Sequence, residues 1–160
     1  MHDAGHADGG CDGAVLADWW RGTGPLLSRS LPPLCEVEAD IADGLPRVRA
    51  TEHALTQAVL NLFVNAGEAI ASVPGSPRGR VRIAAHAAPD GRSILLSVTD
   101  NGPGMSEDTK RRAFDMFFTT KVRGMGTGLG LAMVKKIVDE HGARIELVNR
   151  KSGNTQASEA

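Results

Sequence analysis

Asp100-Asn101-Gly102-Pro103-Gly104-Met105 follows the apolar run Ile94-Leu95-Leu96-Ser97-Val98, and a second glycine loop, Gly124-Met125-Gly126-Thr127-Gly128-Leu129-Gly130-Leu131, opens onto another apolar segment. Glycine lets a backbone approach a ligand closely and adopt positive φ, so two such loops in one small domain read as grips on two parts of one ligand. Taken singly, an Asp-x-Gly after a strand is only a turn. Order and company carry the reading. Both loops follow a segment of helical periodicity with Asn61 and Asn65 one turn apart, and the three together describe a nucleotide pocket.

Working outward, Thr51 to Ser72 is the clearest helix. Leu55, Val59, Leu62, Ala66 and Ala69 recur at spacings of four, three, four and three, and Pro74-Gly75 stops the pattern. Val81-Arg82-Ile83-Ala84-Ala85 and the run from Ile94 flank Pro89-Asp90-Gly91, a hairpin turn signal. The sheet is therefore at least partly antiparallel, and Asp100 sits at a strand end. Glu36 to Ile41 alternates charged and apolar residues as a strand ending at the Asp43-Gly44 turn. Ser106 with Glu107 and Asp108 starts a short helix, the acids favouring its positive end. A final helix runs from about Thr127 to His141, closed by Gly142, before a strand over Arg144 to Asn149. Ala14 to Ser30 reads as an amphipathic helix with Trp19 and Trp20 as core or interface anchors, and a break is expected at Gly22-Thr23-Gly24-Pro25. Residues 1–13, rich in Gly, Asp and Ala, are expected to be a disordered tail. That leaves one domain over 14–153 and a second tail over 154–160.

Composition limits the alternatives. With 160 residues, 41% of them hydrophobic, the chain fits one soluble domain with a core. A net charge of −1 offers no basic field for nucleic acid, and Lys110-Arg111-Arg112 reads as a solvated helix face. Cys11 and Cys35 have neither metal-ligand spacing nor the density of a disulfide scaffold, which points to a reducing, cytoplasmic setting. No run approaches the roughly twenty apolar residues that span a bilayer, and the first residues lack a signal pattern. Any membrane attachment is expected from elsewhere.

At about 100° per residue, Gln57, Asn61, Asn65, Glu68 and Ser72 fall in one narrow arc of the long helix. A polar stripe is ordinarily a solvent face. Asparagine, however, costs ~0.5 kcal/mol or more against alanine inside a helix, so two of them one turn apart suggest that amide oxygens are wanted there. Carboxamide oxygen is a suitable neutral ligand for Mg²⁺, which keeps much of its shell from water and phosphate. Gly126, Gly128 and Gly130 directly precede the last helix, so free N–H groups at its positive end suit phosphates. A nicotinamide fingerprint is a poor rival, since the loop reads Gly-x-Gly-x-Gly with no strand immediately before it. A phosphate-loop NTPase fails for want of Gly-Lys-Ser or Gly-Lys-Thr.

These residues match a family. Asn61-Leu62-Phe63-Val64-Asn65-Ala66-Gly67-Glu68-Ala69, then Asp100-Asn101-Gly102-Pro103-Gly104, then Phe114-Asp115-Met116-Phe117-Phe118-Thr119-Thr120-Lys121, then Gly126-Thr127-Gly128-Leu129-Gly130-Leu131 resemble the N, G1, F and G2 boxes of bacterial sensor histidine kinases, in that order. Their ATP-binding domain belongs to the superfamily of gyrase, heat-shock chaperones, histidine kinases and mismatch-repair ATPases. The resemblance spans about Glu36 to Asn149. It implies an α+β fold of Bergerat type, a two-layer sandwich in which a mixed, mostly antiparallel sheet carries helices on one face.

Carried over residue by residue, the resemblance makes Asp100 the carboxylate that accepts from the adenine amino group, with Gly102 and Gly104 letting the loop pass close to the base. It makes Asn65 the Mg²⁺ ligand, with Asn61 holding a metal water or phosphate and Glu68 in an outer contact. Thr120, Lys121, Gly126, Thr127, Gly128, Leu129 and Gly130 are the remaining ATP-binding positions. Lys121 reads either as a point charge toward the γ-phosphate or as a surface lysine of a mobile lid. Phe114, Phe117 and Phe118 would pin that lid to the core.

Hydrolysing members of the superfamily use a glutamate on this helix to activate water, and the corresponding position here is Asn61. An amide cannot act as a base. Transfer to histidine needs positioning more than a base, so the resemblance implies a kinase over an ATPase. Two departures stand out. No phosphoacceptor box precedes the domain, and His2, His6, His53, His86 and His141 read as solvated or structural, so the acceptor is expected in trans on a separate histidine domain, followed by a response regulator. The usual closing strand is replaced by Gly153-Asn154-Thr155-Gln156-Ala157-Ser158-Glu159-Ala160, so a missing last strand is expected. An ATP-binding regulatory module or an anti-sigma-type serine kinase relative is the alternative.

Overall fold

A computed structural model describes residues 13–75, 78–116, 130–149 and 155–159. The elements run α1 (Leu16–Ser28), β1 (Cys35–Ile41), α2 (Glu52–Ala71), β2 (Gly79–Ala87), β3 (Ile94–Asp100), α3 (Glu107–Arg112), α4 (Gly130–Glu140), β4 (Ile145–Asn149) and β5 (Thr155–Glu159). The strands form one sheet in the order β1-β2-β3-β5-β4. β1 lies parallel to β2, and the β2–β3, β3–β5 and β5–β4 pairs are antiparallel. The expected mixed, mostly antiparallel sheet is the observed one.

Alternation places the layers. Along β2, Val81, Ile83 and Ala85 are buried while Arg80 is exposed, and these residues share one core with Leu55, Val59, Leu62, Phe63 and Ala66 of α2. Val134 and Val138 of α4 and Leu16, Trp19 and Leu27 of α1 close the same core. Apolar side chains of the helices thus cover one face of the sheet, giving the expected two layers. Removing this apolar area from water drives the packing, at about 25 cal/mol per Å².

The local signals settle most boundaries. Thr51 caps α2 by accepting from the Ala54 N–H at 3.1 Å. The hairpin turn is held by Asp90, whose Oδ1 accepts from the amides of Arg92 and Ser93, beside Gly91 at φ 66°. Ser106 caps α3 by accepting from Thr109 N–H, and the basic residues of that helix pair outward, Lys110 with Glu107 and Arg111 with Asp108.

Three expectations need correction. α1 runs unbroken through Gly22 and Pro25, although Pro25 supplies no N–H to the turn before it. Tertiary packing overrides the local cost: Trp19 is buried and donates to Thr56 Oγ1 at 3.0 Å, and the Trp20 ring lies so close to Gly24 that a Cβ there would stand 2.7 Å from it. Residues 155–159, expected within a tail, instead form β5 between β3 and β4, with Ala157 opposite both Val98 and Leu147. Neither side-chain alternation nor β-branched content marks that segment as a strand, so its place is set by the backbone hydrogen bonds of two neighbours. Gly13, assigned to the first tail, is buried, and its carbonyl accepts from Arg47 Nη1 at 2.8 Å. The rest of that expected tail, Cys11, His2 and His6 lie outside the described residues.

Candidate functional site

α2 and the end of β3 bring two of the expected residues, Asn65 and Asp100, to one pocket. Asn65, Asp100 and Leu131 line one pocket with Leu62, Ala66, Val98 and Leu147. Asn61 lies one turn before Asn65 on α2, and Asn61, Asn65 and Glu68 are all half-buried. Gln57 is exposed. Ser72, the last member of the stripe, serves the helix end instead: its hydroxyl donates to the Ala69 carbonyl at 2.6 Å. Leu60 and Val64 of α2 stand partly exposed beside the asparagines.

Asp100 is 6% exposed. Burial pushes its carboxyl up to about 6, partly opposed by the hydrogen bond it accepts from Gly102 N–H. Only Oδ1 takes that bond. Oδ2 has no hydrogen-bond partner among the described residues. Among the described residues the pocket encloses about 10 Å³ and sets a desolvated acceptor beside apolar walls and an amide.

The loop after β3 is held by contacts that the sequence did not signal. Asn101 Oδ1 accepts from Arg80 N–H at 2.8 Å and its Nδ2 donates to Arg78 O at 3.1 Å, tying the loop to the start of β2. Asn149, at the end of β4, accepts from Met105 N–H at 3.0 Å and donates from Nδ2 to Met105 O. Gly104 has φ 76°, a left-handed conformation that favours glycine. Gly102 is needed for space: an added Cβ would lie 2.7 Å from Asp100 Oδ1 and 3.1 Å from Ala69 Cβ. The asparagines could have been singled out as side chains able to pair with a backbone amide on both edges, but nothing local says which backbone they meet.

α4 begins at Gly130, and its first turn borders the pocket through Leu131. A Cβ at Gly130 would meet no atom within 4 Å. Thr120, Lys121, Gly126, Thr127, Gly128 and Leu129 lie outside the described residues, as do Phe117 and Phe118, while Phe114 is half-buried. The histidines expected to be structural or solvated behave so: His53 is exposed, His86 Nε2 lies 3.2 Å from Asp40, and His141 Nδ1 lies 2.7 Å from Ile137 O. Among the described residues no group of three or more His, Cys, Asp or Glu could hold a metal. A larger cavity, about 450 Å³, lies at the opposite end of α2 and α4 and contains none of the expected residues.

Residues 50–158 match the family model described as histidine kinase-, DNA gyrase B- and HSP90-like ATPase. The nitrogen regulation protein NtrY of Azorhizobium caulinodans is 36% identical over 128 residues, 80% of this chain but 16% of NtrY. The mycobacterial sensor histidine kinase MprB has a similar solved structure, with TM-score 0.71, 26% identity and coverage of 90% of this chain and 93% of that one. Full-length ShkA in complex with AMPPNP superposes with TM-score 0.74 and 26% identity, covering 92% of this chain and 30% of ShkA. The chain therefore spans about a sixth of the NtrY sequence it matches.

Proposed function

This chain belongs to the family of histidine kinase-, DNA gyrase B- and HSP90-like ATPases, and from that membership we propose that it is the ATP-binding catalytic domain of a two-component histidine kinase. It transfers the γ-phosphate of ATP to a histidine on a separate dimerisation and phosphoacceptor domain, from which a response regulator takes it. The observation that carries this reading is the convergence of Asn65, buried Asp100 and the start of α4 on one pocket. Similarity to the mycobacterial sensor histidine kinase MprB supports the histidine acceptor, and ShkA, solved in complex with AMPPNP, supports the nucleotide.

The residues act as follows. Asp100 Oδ2 accepts from the adenine amino group, while Gly102 N–H holds Oδ1 and fixes the carboxylate plane. A guanine carbonyl in the same place would meet an acceptor, leaving a buried pair unsatisfied at about 1 to 3 kcal/mol. Leu62, Val98 and Leu147 cover the base and exclude water. Asn65 and Asn61 present neutral oxygens one turn apart on α2, a donor set that fits Mg²⁺ carrying its own water and phosphate ligands, with Glu68 as an outer contact. Mg²⁺ bound there supplies charge neutralisation for the departing diphosphate. By the family resemblance, the backbone N–H groups of Gly126, Gly128 and Gly130 would hold the phosphates, with Thr120, Thr127 and Leu129 as further ATP-binding positions and Lys121 as a further positive charge. Asn61 provides no base for water, so transfer depends on a neutral imidazole being positioned in line.

No helix among the described residues is long and apolar enough to cross a membrane; the proposed use of ATP supports a cytoplasmic working side. Incubation with γ-labelled ATP and a separately purified histidine-bearing helical-hairpin domain tests the reading. Acid-labile, base-stable label on the hairpin is the expected result. Acid-stable label on a serine of a partner protein would assign the domain to the anti-sigma-type class instead.

A further inference from the structure

We propose that the cavity between the N-terminal half of α2, the C-terminal end of α4 and segment 46–50 is a binding site for a small amphiphilic carboxylate. It encloses about 450 Å³, within the range of small-molecule sites. Its depth is apolar: Leu55, Ala58, Leu96 and Val138 line it and are themselves core residues. Its mouth is basic. Arg47, Arg49, Arg92 and His141 line it, and no aspartate or glutamate does.

Among the described residues these arginines form no ion pair with a carboxylate. Arg21, Arg78, Arg82 and Arg111 each pair with a carboxylate, whereas Arg49 and Arg92 are exposed and have no ion pair or side-chain hydrogen bond among the described residues. Arg47 gives one Nη1 hydrogen to Gly13 O and keeps its remaining donors. Of the acids nearby in sequence, Asp90 is engaged by the amides of Arg92 and Ser93 and the Ser93 hydroxyl, Asp139 by Lys135 and Glu140 by Lys136, while Asp43 and Glu52 are exposed and do not line the cavity. An occupant must satisfy planar guanidinium donors at the mouth and fill an apolar depth. A carboxylate on a hydrocarbon or aryl body does both, since guanidinium and carboxylate match in two-point geometry. The site is separate from the nucleotide pocket, so its test does not depend on the kinase reading.

The test uses octanoate, octanol and octylammonium titrated into the 160-residue protein by calorimetry, with amide shifts of Ile94, Ile137 and Ala143 locating the site. Octanoate is expected to bind saturably and at least about tenfold more tightly than the other two, a ratio worth about 1.4 kcal/mol. The exposed double variant Arg49→Gln/Arg92→Gln should lose that preference and keep octanol affinity, with its thermal melt checked first. Ala54→Leu, which adds volume to a half-buried lining position on α2, should weaken octanoate and octanol alike. Equal binding of the three probes, no saturable binding of octanoate, or octanoate affinity unchanged in the double variant would overturn the assignment.

Discussion

Asp100 Oδ1 accepts a 2.8 Å hydrogen bond from the backbone N–H of Gly102, with both residues buried. The bond closes a tight turn directly after β3 and leaves one carboxylate oxygen for a ligand. It also explains why Gly102 must be glycine, since a Cβ would approach that same oxygen to 2.7 Å and the Ala69 carbonyl carbon to 3.2 Å.

Nucleotide selectivity follows from the free oxygen. Calorimetry with Mg-ATP and Mg-GTP should give a preference for ATP of tenfold or more, from a mismatch of about 1 to 3 kcal/mol. Asp100→Asn should remove most ATP binding. Equal affinity for both nucleotides would exclude Asp100 as the base-reading residue.

The same carboxyl imposes a pH dependence. Its pKa in the folded protein is raised from 3.8 to about 6 by burial, so between those values the native state holds a proton that the unfolded chain has lost. Stability of the nucleotide-free protein should therefore fall as pH rises from about 4 to about 6 and level off above, by roughly 3 kcal/mol at most. Asp90, with a lowered pKa, acts in the opposite sense and below 3.8, outside this window. Urea melts at several pH values should show the decline in the parent and a flatter profile in Asp100→Asn. A parent profile that rises over this range would refute the assignment.

Gly102→Ala should destabilise the fold by about 1 to 3 kcal/mol, because the added methyl meets a hydrogen-bonded oxygen and the backbone of α2. Denaturant midpoints report it. Gly44→Ala is the converse case, with no described atom within 4 Å of the added Cβ but φ at 72°, and should cost about 1 to 2 kcal/mol through the backbone alone.

Asn65→Ala should leave the melting curve nearly unchanged, since the Asn65 side chain is half-buried, makes no hydrogen bond with the described residues and yields to a better helix former. It should abolish the Mg²⁺ dependence of ATP binding. An unfolded Asn65→Ala protein by circular dichroism would mean that the amide serves the fold.

Asn149→Ala removes two hydrogen bonds from Met105 and should raise the ATP Kd several-fold by loosening the loop, at a stability cost of about 1 to 2 kcal/mol. Hydrogen exchange of the 101–106 amides would register the loosening directly.

What could be read without coordinates was local. The spacing of Leu55, Val59, Leu62 and Ala66, the Thr51 cap, the Asp90-Gly91 turn and Asp100 at a strand end are written in neighbouring residues, because helices, caps and turns are made by contacts a few positions apart. The pairing of Asn65 with Asp100 was legible only through the order of the motifs. Tertiary structure alone decided that α1 continues through Pro25, where the Trp20 ring settles on Gly24, and that residues 155–159 become a strand. It alone decided that Asn101 and Asn149 fasten the loop to β2 and to β4. Each of these depends on partners far along the chain, and a segment such as Gln156-Ala157-Ser158 carries no pattern of its own. Its conformation is chosen by the open hydrogen-bonding edges that β3 and β4 present to it.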